Sequence, residues 1–174
     1  MEYEFELKFK LPPEDTDLNE VVERVGEVGC DDALVGTGQP GRIALRFTRE
    51  AESAKQAIVS ALRDVKKAIP GAQLTEAGPD FVGVSDIADI LGMSRQNLRK
   101  LMLTHAATFP APVHEGNAAI WHLEIVFQWF RSKGGYNIRQ EQIDVAHIAM
   151  QLNLVKAADR LDLPMRREVR MLVA

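Results

Sequence analysis

The stretch from Tyr3 to Leu11 constrains the fold more than any other. Tyr3, Phe5, Leu7, Phe9 and Leu11 alternate strictly with Glu4, Glu6, Lys8 and Lys10. Successive side chains of a strand point to opposite faces, so this period of two predicts a strand with one apolar face and one charged face. Pro12 and Pro13 end it. Leu18, Val21, Val22, Val25 and Val28 then recur at helical spacing over about Asp17 to Val28, and Gly29 supplies a stop. Ala33 to Gly36 and Arg42 to Phe47, on either side of the turn-rich GTGQPG, read as a hairpin of two antiparallel strands.

Thr48 is expected to cap the next helix, Ala51 to Ile69, which keeps Ala54, Ala57, Ile58, Ala61, Leu62 and Val65 on one side and closes at Pro70-Gly71. A short strand, Ala72 to Ala77, precedes the break at Gly78-Pro79. The order is β-α-β-β-α-β. It predicts an α+β chain whose residues 1–79 form a ferredoxin-like sandwich. A fold of this kind dimerises, docks proteins, binds small ligands or binds RNA. The strands lack paired exposed aromatics for stacking bases and the surface is acidic, so dimerisation or partner binding is the expectation. Glu14, Asp15, Asp17, Glu20, Glu23 and Glu27 read as a solvated helix face rather than as an acid-base or metal site.

With 174 residues the chain holds one sizeable domain or two small ones. No apolar run reaches the roughly 20 residues of a membrane span, and MEYEFELKFK is not a basic region followed by an apolar core. A cytoplasmic protein without a membrane partner is expected. Cys30 is the only cysteine, which excludes an internal disulfide and a thiolate metal cage. The net charge of −4 is unevenly spread: −5 over residues 1–79, 0 over 80–138 and +1 over 139–174. A nucleic-acid partner would therefore be held by a local patch in the middle of the chain, and by two copies together.

That middle contains Phe81 to Thr104, FVGVSDIADILGMSRQNLRKLMLT. Ser85 is expected to cap a first helix with Ile87, Ala88, Ile90 and Leu91 on one face, and Gly92 to provide the turn. Ser94 caps a second helix. Leu98, Leu101 and Met102 form its inner side and leave Arg95, Gln96, Asn97, Arg99 and Lys100 outward. A small residue at the crossing (Ala88), a flexible turn (Gly92) and an apolar filler (Leu98) are what two steeply crossing helices need. Behind them, Phe109-Pro110-Ala111-Pro112 cannot be helical, and Val113 to Trp121 reads as two short strands turning at Glu115-Gly116-Asn117. Leu123 to Arg131 forms a helix whose Val126, Phe127, Trp129 and Phe130 pack the hairpin against the motif.

A helix-turn-helix followed by FPAPV, a Gly-centred hairpin, Trp121 and Trp129 resembles the winged helix-turn-helix DNA-binding domain of excisionase and MerR-type regulators, over about residues 81–131. The whole chain is also similar to a bacterial group known as DNA-binding or helix-turn-helix proteins. The resemblance implies that the second helix enters the major groove of double-stranded DNA and that the wing touches the flanking backbone or minor groove. Carried onto this chain, the DNA-binding residues are Ser94, Arg95, Gln96, Asn97, Arg99 and Lys100, with His114, Asn117 and His122 on the wing. Family wings commonly carry arginines between the glycine and the tryptophan, where this chain has Asn117-Ala118-Ala119-Ile120.

After this domain, residues 80–136, comes a C-terminal helical segment, 137–174. Ile143, Ala146, Ile148, Ala149, Leu152 and Val155 lie within a helix from Ile138 to Leu161, and Met165 to Val173 form a short segment with Arg166, Arg167 and Arg170. The apolar stripe buries itself either on its own chain or on a second subunit. His105, His114, His122 and His147 show no metal spacing, and no phosphate loop or nucleophile elbow is present, so neither an enzyme nor a cofactor or metal is expected. His147 reads as a core histidine. The expected function is a homodimeric, sequence-specific transcriptional regulator, a repressor. Its alternatives are an excisionase-like DNA-bending accessory protein and an antitoxin-like module whose N-terminal domain binds a protein partner.

Overall fold

In the computed structural model, which describes residues 1–170, 172 and 173, the opening alternation forms strand β1, Glu2–Lys10. Met171 and Ala174, both within the predicted C-terminal segment, lie outside the described residues. Tyr3, Phe5, Leu7 and Phe9 are buried, while Glu4 and Lys10 on the other face are exposed. β1 is central in its sheet. It pairs antiparallel with β3, Arg42–Glu50, from Glu2↔Glu50 to Lys10↔Arg42, and on its other side with β4, Gln73–Gly78. β2, Ala33–Gly36, completes a four-stranded sheet in the order β2-β3-β1-β4.

The helices cover the apolar side. α1, Leu18–Glu27, starts at Asp17, whose carboxylate accepts from Asn19 N at 2.9 Å, and buries Val21 and Val25. α2, Ala54–Ala68, is capped by Ser53, whose Oγ accepts from Gln56 N at 3.2 Å. Thr48 was the expected cap. It lies instead inside β3, paired with Glu4, because that strand runs three residues further than its apolar alternation. The core of this unit joins the buried side of the sheet to Val21, Val25, Ala57, Ile58, Ala61 and Val65.

After the cis Gly78–Pro79 bond the chain enters a second unit. β5, Phe81–Val82, pairs antiparallel with β6, Trp121–His122, and the helices α3, Val84–Ile90, α4, Arg95–Thr104, and α5, Leu123–Lys133, pack around them. Their core includes Val82, Ile87, Leu98, Trp121, Phe127 and Phe130. The chain is thus mixed α+β, with 46% helix and 20% strand.

The expected C-terminal segment is not a separate layer. α6, Gln140–Ala158, buries Val145 and Ala149 in the first core and Ile143 and Ala146 in the second. Ile143, Ala146 and Ala149 of its apolar stripe bury on its own chain, at the seam of the two units, while Val155 at the end of the stripe stands 61% exposed. Asn153, on the same helix, is 3% exposed and fastens that seam. Its Oδ1 accepts from Ala77 N at 2.9 Å, and its Nδ2 donates to Ala77 O at 2.8 Å and to Asp80 Oδ2 at 2.7 Å. Beyond it, α7, Leu163–Val169, is capped by Asp162 and buries no residue. No helix among the described residues is long and apolar enough to cross a membrane.

Candidate nucleic-acid interface

The site is built on the corner between α3 and α4. α3 begins at Gly83, whose N–H donates to Asp86 Oδ2 at 2.7 Å. Ser85, the expected cap, falls inside the first turn: the N-cap is Gly83, which has no side chain to cap with, and Asp86 at the third helical position reaches back to the Gly83 N–H as the acidic half of a capping box does. Ile87 and Ala88 are fully buried on the inner side. The corner itself is closed by Met93 N donating to Ala88 O at 2.9 Å, with Gly92 at φ +63°. That conformation favours glycine, since it brings a Cβ against the backbone.

α4 starts at Ser94, whose Oγ accepts from Asn97 N at 3.1 Å. The hydroxyl proton of Ser94 is not used by that bond, so it remains free to donate outward. Leu98 is the one fully buried residue of the helix and is flanked by half-buried Leu101 and Met102. Ser94, Arg95, Gln96, Asn97, Arg99 and Lys100 are all exposed. Arg95, Arg99 and Lys100 form no salt bridge among the described residues. The helix thus offers three cations and two side-chain amides to solvent, with no carboxylate among the described residues tying them down. Such a set suits phosphate and base edges equally.

The segment behind α4 departs from a two-stranded wing. A single bridge, His114↔Ile120, closes the loop, and Trp121–His122 pairs with Phe81–Val82 rather than with Val113. Asn117, Ala118 and Ala119 carry no bulk to pair across a hairpin, whereas Trp121 is drawn into the core. There its Nε1 donates to Pro110 O at 2.9 Å, and Phe109 lies edge-on to Trp129 at 5.0 Å. His114 and Asn117 are exposed on the loop, and the His114 ring lies across Gly116. A Cβ on Gly116 would stand 2.7 Å from His114 Nε2.

His122 corrects the wing assignment. Its side chain is 14% exposed, with Nδ1 2.7 Å from Asp80 Oδ1, and it sits at the head of α5 rather than on the loop. His147 is corrected the other way. Expected in the core, its side chain is 49% exposed, and Nδ1 reaches Glu124 Oε1 at 2.8 Å. Sequence reasoning missed Asp80, 1% exposed, which holds Asn153 and His122 with its carboxylate and accepts from Leu123 N at 2.7 Å with its carbonyl. It missed buried Glu124 as well, whose Oε1 also accepts from Gln128 Nε2 at 3.0 Å while Oε2 has no partner. Only their position beside apolar runs could have marked them. No three His, Cys, Asp or Glu side chains converge as a metal site among the described residues. No protein family, curated protein or solved structure matches the chain at a significant level.

Proposed function

We propose that the chain is a homodimeric, sequence-specific double-stranded-DNA-binding transcriptional regulator acting as a repressor. In this reading residues 1–79 are a ferredoxin-like sandwich and the α3–α4 corner is the helix-turn-helix of a winged domain. The observation that carries it is the outer face of α4. Arg95, Arg99 and Lys100, in no salt bridge among the described residues, stand beside exposed Gln96 and Asn97 on a helix whose inner side is sealed by Leu98. The strand order β2-β3-β1-β4 supports the ferredoxin-like assignment.

The division of labour follows from side-chain chemistry. Ser94 and the cations position α4 on phosphates, while Gln96 and Asn97 have the amide geometry to read adenine and an arginine that of guanine. His114 and Asn117 are the loop residues free to reach flanking backbone. The loop carries no arginine or lysine, so one copy makes few phosphate contacts, and a second copy would supply the other half-site. α7 supports that arrangement, because Leu163 and Met165 stand 60% and 61% exposed where a partner would cover them.

Selection of bound duplexes from a random pool, followed by gel shifts of Arg95→Ala, Asn97→Ala and Arg99→Ala, tests the reading. A palindromic consensus is expected. A base-reading residue should cost about 1–3 kcal/mol and relax one position, and a phosphate contact should weaken all sequences alike and lower the salt slope by about 1. No enriched sequence, or three variants that bind like the parent, sinks the proposal.

A further inference from the structure

The charged face of the sheet and the second unit leave between them a cleft of about 640 Å³. Small-molecule sites have this size, and a junction of two structural units is a common place for one. The walls come from β1, from the Gly78–Val82 connection, from α3 and from the start of α6. Phe81 stands in it 43% exposed, an aromatic ring that folding leaves in water. The ring is backed by the imidazole of His122 at 5.1 Å, and that imidazole is itself fixed by Asp80. Phe81 is therefore a held surface. Half-buried Ile90 continues the apolar side of the cleft, with Leu123 and Phe127 buried behind it.

The charge of the lining selects the ligand. Lys8 Nζ is 2.9 Å from Glu76 Oε1, and Arg46 Nη2 is 3.8 Å from Glu6 Oε1, so those cations are matched. Glu2, Glu4, Asp86 and Glu141 remain, against the guanidinium of Arg139 and the ammonium of Met1, which donates to Ala51 O at 3.0 Å, so the carboxylates still outnumber the cations. A cleft of one sign with an apolar wall concentrates ions of the opposite sign, and an exposed aromatic face attracts a cation through its quadrupole.

We propose that this cleft binds a small organic cation, an ammonium or amidinium group on an apolar body. The body lies against Phe81, and the charge sits among the carboxylates. None of the residues assigned to DNA lines the cleft, so the site stands independently of the DNA-binding reading. Isothermal titration of the full chain with phenethylammonium and with benzamidinium tests it, with 2-phenylethanol and phenylacetate as neutral and anionic controls.

Saturable one-to-one binding of both cations is expected, about tenfold or more tighter than either control. Phe81→Ala and the double variant Glu4→Gln/Glu141→Gln should each weaken the cations by about tenfold. These side chains are exposed or half-buried, and circular dichroism checks that the variants keep the fold. The proposal is overturned if neither cation binds saturably, if phenylacetate binds as well as the cations, or if both folded variants bind like the parent.

Discussion

Arg49 ties the first unit together at the scale of single side chains. Its guanidinium donates to Asp32 Oδ2 at 2.6 Å, to Asp32 Oδ1 at 3.0 Å, to Asp64 Oδ2 at 2.7 Å and to Ser60 Oγ at 3.0 Å, while lying over the ring of Phe47. The hydrogen bonds to Asp32 raise its pKa above the ordinary arginine value, against the opposing effect of burial. A raised pKa means stability that is lost only as pH climbs through that value, so the guanidinium contributes at every ordinary pH. Arg49→Met should cost about 2–4 kcal/mol in urea unfolding, because two carboxylates lose their partner at once. Cys30, 3% exposed beside this cluster, has its thiol pushed up in pKa first by burial and then by Asp64. It should react with Ellman's reagent far more slowly in the native protein than in denaturant, and an equal rate would contradict its burial. Arg49 did not announce its role in sequence. The period of two marked Phe5, Leu7 and Phe9 because their signal is local, whereas Asn153 finds Asp80 only 73 positions away.

Among elements, the strands and helices with regular patterns were legible, short β2 included, while two of the helix starts were not. β1, α1, α2 and α6 stand within a few residues of where their apolar spacing puts them. Ser94 caps α4 as its position implies, yet Ser85 and Thr48 do not cap, since α3 already starts at Gly83 and β3 runs on through Thr48, leaving Ser53 to cap α2. After α4 the chain does turn back on itself, with Val113 N donating to Ile120 O at 2.8 Å, but alternation over Val113 to Trp121 cannot tell that Trp121–His122 has its ladder partner in β5, over thirty residues upstream. The outer face of α4 was legible because helical spacing alone separates Leu98 from its polar neighbours. Two glycines test the backbone side of this reading with opposite signs. At Gly92, φ is +63°, and Gly92→Ala should cost about 1 kcal/mol by straining the α3–α4 corner. Gly26 lies inside α1 with nothing within 4 Å of a built Cβ, so Gly26→Ala should stabilise by about 0.5–1 kcal/mol. Thermal melts of both variants decide it, and shifts of the same sign would show that the two backbones are not as described.

At the scale of the whole molecule the deciding feature is α6, which the sequence left free to choose between its own chain and another. One helix buries residues in both cores, and its Asn153 amide binds the last residues of β4 and the carboxylate that opens the second unit. Separating the units would strip Val145 and Ala149 from one side or Ile143 and Ala146 from the other, and would leave buried hydrogen-bonding groups unmet at about 1–3 kcal/mol each. Neither unit can open without that loss, so the chain should unfold in one cooperative transition. Its residues provide the means to check. Trp121 and Trp129 are the two tryptophans and both belong to the second core, so their fluorescence reports on that unit alone, while far-ultraviolet circular dichroism reports on the helices of both. The urea midpoints of the two signals should coincide. Asn153→Leu, which removes the amide but keeps comparable bulk, should move both midpoints down together. If fluorescence and dichroism separate in the parent, α6 does not couple the units, and the cleft between them would change shape without either core melting.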